Sequence, residues 1–180
     1  STRGAECGQD GTSVPAAGAG CMPGERASGI PSMLGAMPRP KGLRPAEEVI
    51  PKLGARPGIP ALRIGDVATY DRPLEHVAGH LDRSELELPL RFHAARYGLV
   101  LCFALEPCDL RLLASDLVRM SHPDGSIWIV VWKKDFLRGG APPWDVVQEH
   151  MLPTGWVDNK ILSLGEEVYA TRYVRRRRPS

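Results

Sequence analysis

The sequence predicts an α/β fold: a truncated Rossmann-like, mainly parallel sheet with a C-terminal antiparallel β-hairpin, plus an extended N-terminal arm. Three observations carry this. The runs YGLVLCFAL (97–105) and SIWIVVW (126–132) are apolar without alternation, as strands covered on both faces must be. Between them, PCDLRLLASDLVRM (107–120) puts Leu110, Leu113, Leu117 and Met120 three and four residues apart, on one face of a helix. Strands that alternate with such helices imply crossover units and parallel pairing.

The elements follow in order. Residues 1–46 form the arm, with nine glycines, six prolines and no aromatic residue through residue 45. Ordering about 45 such residues costs on the order of 45–90 kcal/mol of backbone entropy, which a polar arm cannot recover on its own small domain. A partner is therefore expected to hold it. The domain spans 47–178. It starts with a turn-rich stretch and a short strand at 61–66. PLEHVAGHLDR (73–83) reads as a helix with a proline near its start. ELELPLRF (85–92) alternates as a strand, and Pro89 argues for an edge position. The strand at 97–105, the helix at 107–120 and the strand at 126–132 follow. PPWDVVQEHML (142–152) is a helix. GWVDNKILSL and EEVYATRYVRRRR form the hairpin, and 175–180 is a basic tail.

Charge nearly cancels, with 23 Lys+Arg against 21 Asp+Glu, so the surface as a whole is not built for nucleic acid. No stretch of eighteen apolar residues exists, which predicts no membrane span. Cys7, Cys21, Cys102 and Cys108 show no zinc-ligand spacing, and Cys102 inside an apolar strand points to a reducing compartment. The chain begins at Ser1. If that is a processed terminus, the expected setting is an organelle, mitochondrion or plastid, in the matrix or at the periphery of a membrane complex; otherwise it is cytoplasmic.

The strand, helix, His122-Pro123-Asp124-Gly125 turn, strand, helix and final hairpin resemble the C-terminal half of class I S-adenosylmethionine-dependent methyltransferases. Residues 52–178 look like a small uncharacterised bacterial domain-of-unknown-function family related to those enzymes. The resemblance rests on Lys52-Leu53-Gly54-Ala55-Arg56-Pro57-Gly58, on the strand from Pro123 to Lys134, on Trp156-Val157-Asp158-Asn159-Lys160 and on Val174-Arg175-Arg176.

The resemblance implies a cofactor loop after the first strand, where backbone must approach the ligand closely. That place reads Leu62-Arg63-Ile64-Gly65-Asp66-Val67, with one glycine where two or three are expected. An acidic residue should end the second strand and bind ribose hydroxyls. Glu85 and Glu87 instead fall before or within the strand expected at 85–92. Residues 66–97 are also short for two strand-helix units. The expectation is a degenerate site with no cofactor; Gly65 and Asp66 are the residues that would mark a retained one.

Other groups were weighed. His76 and His80, four apart on the expected helix, lack a third ligand, so no metal is expected. No Walker A or Gly-x-Ser-x-Gly pattern occurs. Lys133 and Lys134 end the central strand, where open α/β sheets meet ligands, and are candidate anion or partner contacts. Arg175, Arg176, Arg177 and Arg178 could meet RNA phosphates, anionic lipid or acidic protein.

The sequence thus leads to a non-catalytic accessory or scaffold subunit of a large respiratory, photosynthetic or ribosomal assembly. It would touch other protein subunits through residues 1–46, with the arginine tail on RNA or lipid. The alternatives are a small S-adenosylmethionine-dependent methyltransferase and a stand-alone bacterial protein.

Overall fold

A computed structural model describes residues 39–177. The arm before Arg39, with Cys7 and Cys21, lies outside them, as does Arg178. Within them the order is α1 (Ala46–Leu53), β1 (Ala61–Ile64), α2 (Asp71–Ala78), β2 (Leu81–Ser84), β3 (Tyr97–Phe103), α3 (Leu110–Met120), β4 (Ser121–Trp132), α4 (Trp144–Met151), β5 (Trp156–Ser163) and β6 (Val168–Arg175).

The six strands form one sheet in the order β2-β1-β3-β4-β6-β5. The pairs β1–β2, β1–β3 and β3–β4 are parallel. β6 runs antiparallel to both β4 and β5. This is the mainly parallel sheet with an antiparallel hairpin that the sequence predicts.

Helices cover both faces, which is why β3 and the Ile127–Trp132 run of β4 are apolar. On one face α1 and α2 bring Val49, Ile50, Leu53 and Leu74 onto Leu101, Phe103, Trp128 and Trp132. On the other, α3 and α4 bring Leu113, Leu117, Val147 and Met151 onto Val100, Cys102, Ile129 and Val131. α3 starts at Leu110, three residues after the expected 107, because the Asp109 carboxylate caps the helix by accepting the Leu112 N–H at 3.0 Å. Cys102 and Cys108 are reduced. Burial pushes both thiols up, that of Cys108 to about 11, which leaves them inert at neutral pH.

Three sequence expectations are corrected. The stretch before β1 contains α1, whose buried Val49, Ile50 and Leu53 are interrupted by Pro51. The helix expected at 73–83 ends at Ala78, where Gly79 takes a left-handed conformation (φ 81°), and the chain turns back into β2. Residues 85–92 are not a strand. The Leu90 N–H that a ladder would use is held by the Asp116 carboxylate at 2.7 Å, and Pro89 has no N–H to give. The alternation survives as packing: Leu86 and Leu88 lie against the core, while Glu85 and Glu87 are exposed.

Segment 39–45 lies along the domain. The Lys41 N–H donates to the Glu167 carboxylate at 2.8 Å, and Leu43 bridges to Gly165. The Arg44 N–H donates to the Leu164 carbonyl at 2.7 Å.

Candidate functional site

In this sheet the chain leaves β1 for β2 on one side, and β3 sits on the other. The order therefore reverses between β1 and β3, where an open α/β sheet leaves a crevice at the carboxyl ends of its strands. A cleft of about 210 Å³ lies there. Gly65 and Asp66 leave β1 into it, Glu85 leaves β2, and Phe103 to Glu106 leave β3.

Gly65 has φ 97°, which side-chain-bearing residues rarely adopt, and a Cβ there would stand 2.9 Å from the Phe103 carbonyl oxygen. The glycine thus lets β1 turn out of the sheet against β3. Its N–H donates to the Ser84 carbonyl at 2.8 Å, which sets Glu85 beside the turn. From beneath, Arg63 braces it. This arginine is buried, donates to the Gly65 carbonyl and forms a two-pronged pair with Asp71 at 3.1 and 3.0 Å. Arg83 reaches the same Asp71 carboxylate at 3.0 Å and Glu75 at 2.7 Å.

Four carboxylates line the cleft: Asp66, Glu85, Glu87 and Glu106. The sequence points to Gly65 and Asp66 but sets Glu85 before or at the start of the strand expected at 85–92. With β2 at Leu81–Ser84, Glu85 directly follows it, where an acidic partner for ribose hydroxyls belongs. The signal was the Gly79 stop followed by Leu81-Asp82-Arg83-Ser84, a strand too short and polar to declare itself. Glu106, at the end of β3, was not singled out. Segment 39–45 closes one side: Arg39 meets Asp66 through contacts of 3.2, 3.1 and 2.8 Å.

The other sequence candidates lie elsewhere. Lys133 is half-buried and donates to the Gly165 carbonyl at 2.8 Å, pinning the turn before β6, while Lys134 is exposed. Arg175, Arg176 and Arg177 are exposed at the end of β6. His76 is on α2, but His80 lies beyond its end and contacts the Asp82 carboxylate at 2.9 Å, so the two do not share a helical face. Among the described residues no group of three His, Cys, Asp or Glu side chains gathers as a metal site, and no helix is long and apolar enough to cross a membrane.

No known protein family and no curated protein matches the sequence. Solved structures do match the fold. A SAM-dependent methyltransferase from Aquifex aeolicus superposes with a TM-score of 0.59 at 15% identity, over 73% of this chain and 89% of that one. A putative S-adenosylmethionine-dependent methyltransferase from Listeria monocytogenes gives 0.58 at 8% identity, over 73% and 98%. A putative type 11 methyltransferase from Sulfolobus solfataricus gives 0.54 at 14% identity, over 77% and 95%.

The expectation that the chain is not an enzyme is overturned by these neighbours. It rested on a lost cofactor site, inferred from the single glycine after the first strand, from the placing of Glu85 and Glu87, and from the short span 66–97. At these identities the likeness establishes the fold: this chain has the architecture of the S-adenosylmethionine-dependent methyltransferases.

Proposed function

We propose that the protein is a small S-adenosylmethionine-dependent methyltransferase that holds its cofactor in the carboxyl-edge cleft. One observation carries the reading: Gly65, closed to any side chain, and Glu85, directly after β2, flank the crevice at the switch between β1 and β3. A backbone approach and a ribose-binding acid are the two features a nucleoside-containing cofactor needs there.

The residues present fit that group. Gly65 and Asp66 offer backbone and a carboxylate at the turn. Glu85 offers its carboxylate to vicinal hydroxyls. A cleft lined by four carboxylates and one arginine suits a ligand that combines a sulfonium and an ammonium with one carboxylate. When bound, the cofactor supplies an electrophilic methyl for transfer to a nucleophile. Glu106, on the β3 side, is the carboxylate placed to orient an acceptor or take its proton. Arg63 and Asp71 keep the Gly65 turn in place. Arg39 covers the Asp66 side, and since that pair is largely exposed it adds about 0–1 kcal/mol and can open.

Calorimetric titration with S-adenosylmethionine and S-adenosylhomocysteine tests the reading. Micromolar binding of either, weakened at least tenfold by Glu85→Gln, supports it. No heat with either ligand at millimolar concentration overturns it.

A further inference from the structure

A larger cavity of about 310 Å³ opens at the opposite edge of the sheet, at the amino ends of the parallel strands, and the methyltransferase reading makes no use of it. The four-residue β1 separates the two, about 13 Å of strand.

Its walls come from several elements that meet at this end of the sheet. The loop after α1 contributes Arg56 and Ile59; the first part of β4 contributes His122, Asp124 and Gly125. The two sides meet where only glycine fits. A Cβ on Gly98 would run into the Ile59 side chain. One on Gly125 would stand 2.9–3.0 Å from the carbonyl oxygens of Gly98, His122 and Tyr97. Ile59, Ala78 and Leu99 give an apolar side.

The polar side is cationic. Arg172 projects on the same sheet face as Trp128, its register partner. Its other register partner is Lys160, a like charge directly across the ladder. The Arg172 Nε is buried and has no hydrogen-bond partner, and no carboxylate among the described residues lies within ion-pair distance of its guanidinium. Arg56 is exposed at the rim and is likewise without an acidic partner among the described residues. The His122 Nδ1 accepts the Asp124 N–H at 3.1 Å, which leaves its Nε2–H as a further donor. Among the described residues Asp124 is the single acid lining the cavity, and it is exposed.

A buried guanidinium donor without an acceptor is costly, and an anionic oxygen is what satisfies it best. We propose that this cavity binds a small organic anion. The ligand's apolar body lies against Ile59, Ala78 and Leu99, and its carboxylate or phosphate meets Arg172 and Arg56. The volume sits at the lower end of small-molecule sites, which suits a ligand of one ring or a short chain. With the His122 Nδ1 occupied by backbone, no base is set up there, so the site binds and does not catalyse.

The test is an amide NMR titration of the full chain with phenyl phosphate, with benzoate, inorganic phosphate and phenol in parallel. Saturable shifts are expected at Gly98 and Gly125 with phenyl phosphate or benzoate, and the stronger of the two names the anion class. Inorganic phosphate and phenol should each bind at least tenfold more weakly, and Arg172→Gln should raise the Kd at least tenfold. Shifts confined to Gly65 and its neighbours, no saturable shift with either aromatic anion, or a Kd unchanged in Arg172→Gln would overturn the proposal. Should Arg172→Gln fail to fold, Arg56→Gln decides: the exposed side chain leaves the fold intact, and an unchanged Kd counts against the site. The outcome is independent of cofactor binding at the opposite edge.

Discussion

Arg63 and Asp71 lock together under the turn that leaves β1, through a two-pronged pair in which both side chains are only about a tenth exposed (9% and 11%). The same arginine holds the Gly65 carbonyl, and the same aspartate holds Arg83. The turn is thus braced by charge, whereas the nucleotide-binding loops of open α/β sheets rely on several glycines.

Breaking that pair from one side leaves a buried charge uncompensated. Asp71→Ala should lower unfolding free energy by about 3–5 kcal/mol in urea titrations. Replacing both partners, as in Arg63→Met with Asp71→Leu, should cost less than the sum of the single changes. Strict additivity would show that the two side chains do not depend on each other.

Gly65→Ala and Gly54→Ala make a matched comparison. Both glycines have positive φ, 97° and 78°. Around Gly54 nothing lies within 4 Å of an added Cβ, so only the backbone cost of about 1 kcal/mol applies. At Gly65 the added Cβ also meets the Phe103 carbonyl, and a total of about 2–3 kcal/mol is expected. On the proposed function, S-adenosylmethionine affinity should fall at least tenfold in Gly65→Ala and stay unchanged in Gly54→Ala, as calorimetry would read.

Tyr70 gives an alkaline signature. Burial pushes its phenol up to about 12, opposed by the Arg44 charge, and its hydroxyl donates to the Arg44 carbonyl at 3.0 Å. The folded value exceeds the unfolded one near 10, so its contribution is intact below about pH 10 and is lost as pH rises toward 12. Burial raises the Tyr97 and Tyr173 phenols in the same sense. Tyr70→Phe should therefore lose about 1 kcal/mol at pH 8 and show a shallower fall in Tm between pH 10 and 11.5 than the parent.

Trp128 ties α1 to the sheet by donating its indole N–H to the Leu53 carbonyl at 2.9 Å. Trp128→Phe keeps most of the apolar contact but leaves that buried carbonyl without a partner. A loss of about 1–3 kcal/mol is expected. Hydrogen exchange should quicken first in Val49–Leu53, and uniform quickening would mean that α1 is held by something else.

The strands most deeply buried were the most legible. β3 and the Ile127–Trp132 run of β4 announce themselves because strand segments covered on both faces offer no polar positions to confuse the reading, and α3 follows from four apolar side chains at helical spacing. The edge was not legible. β2 is only Leu81-Asp82-Arg83-Ser84, and it has the burial of an edge strand, with one residue fully inside. The neighbouring Glu-Leu-Glu-Leu carries a better alternation but packs without a ladder, because Asp116 takes the N–H that pairing would use. α1 was hidden by Pro51 within it. The site followed the same division. Gly65 was visible as a lone glycine at a strand end, whereas Glu85 depended on where β2 stops. The bracing by Arg63 and Asp71 depends on a three-dimensional return of α2 that no spacing encodes.

β6 lies between β4 and β5, hydrogen-bonded on both sides. During synthesis β4 leaves the ribosome more than thirty residues before β6 is available. For that interval the edge of Ile127–Trp132, the apolar run of β4, has no partner on one side. A nascent chain stalled in that window presents a sticky open edge to other nascent chains. The protein should therefore need chaperone protection more while being made than after release.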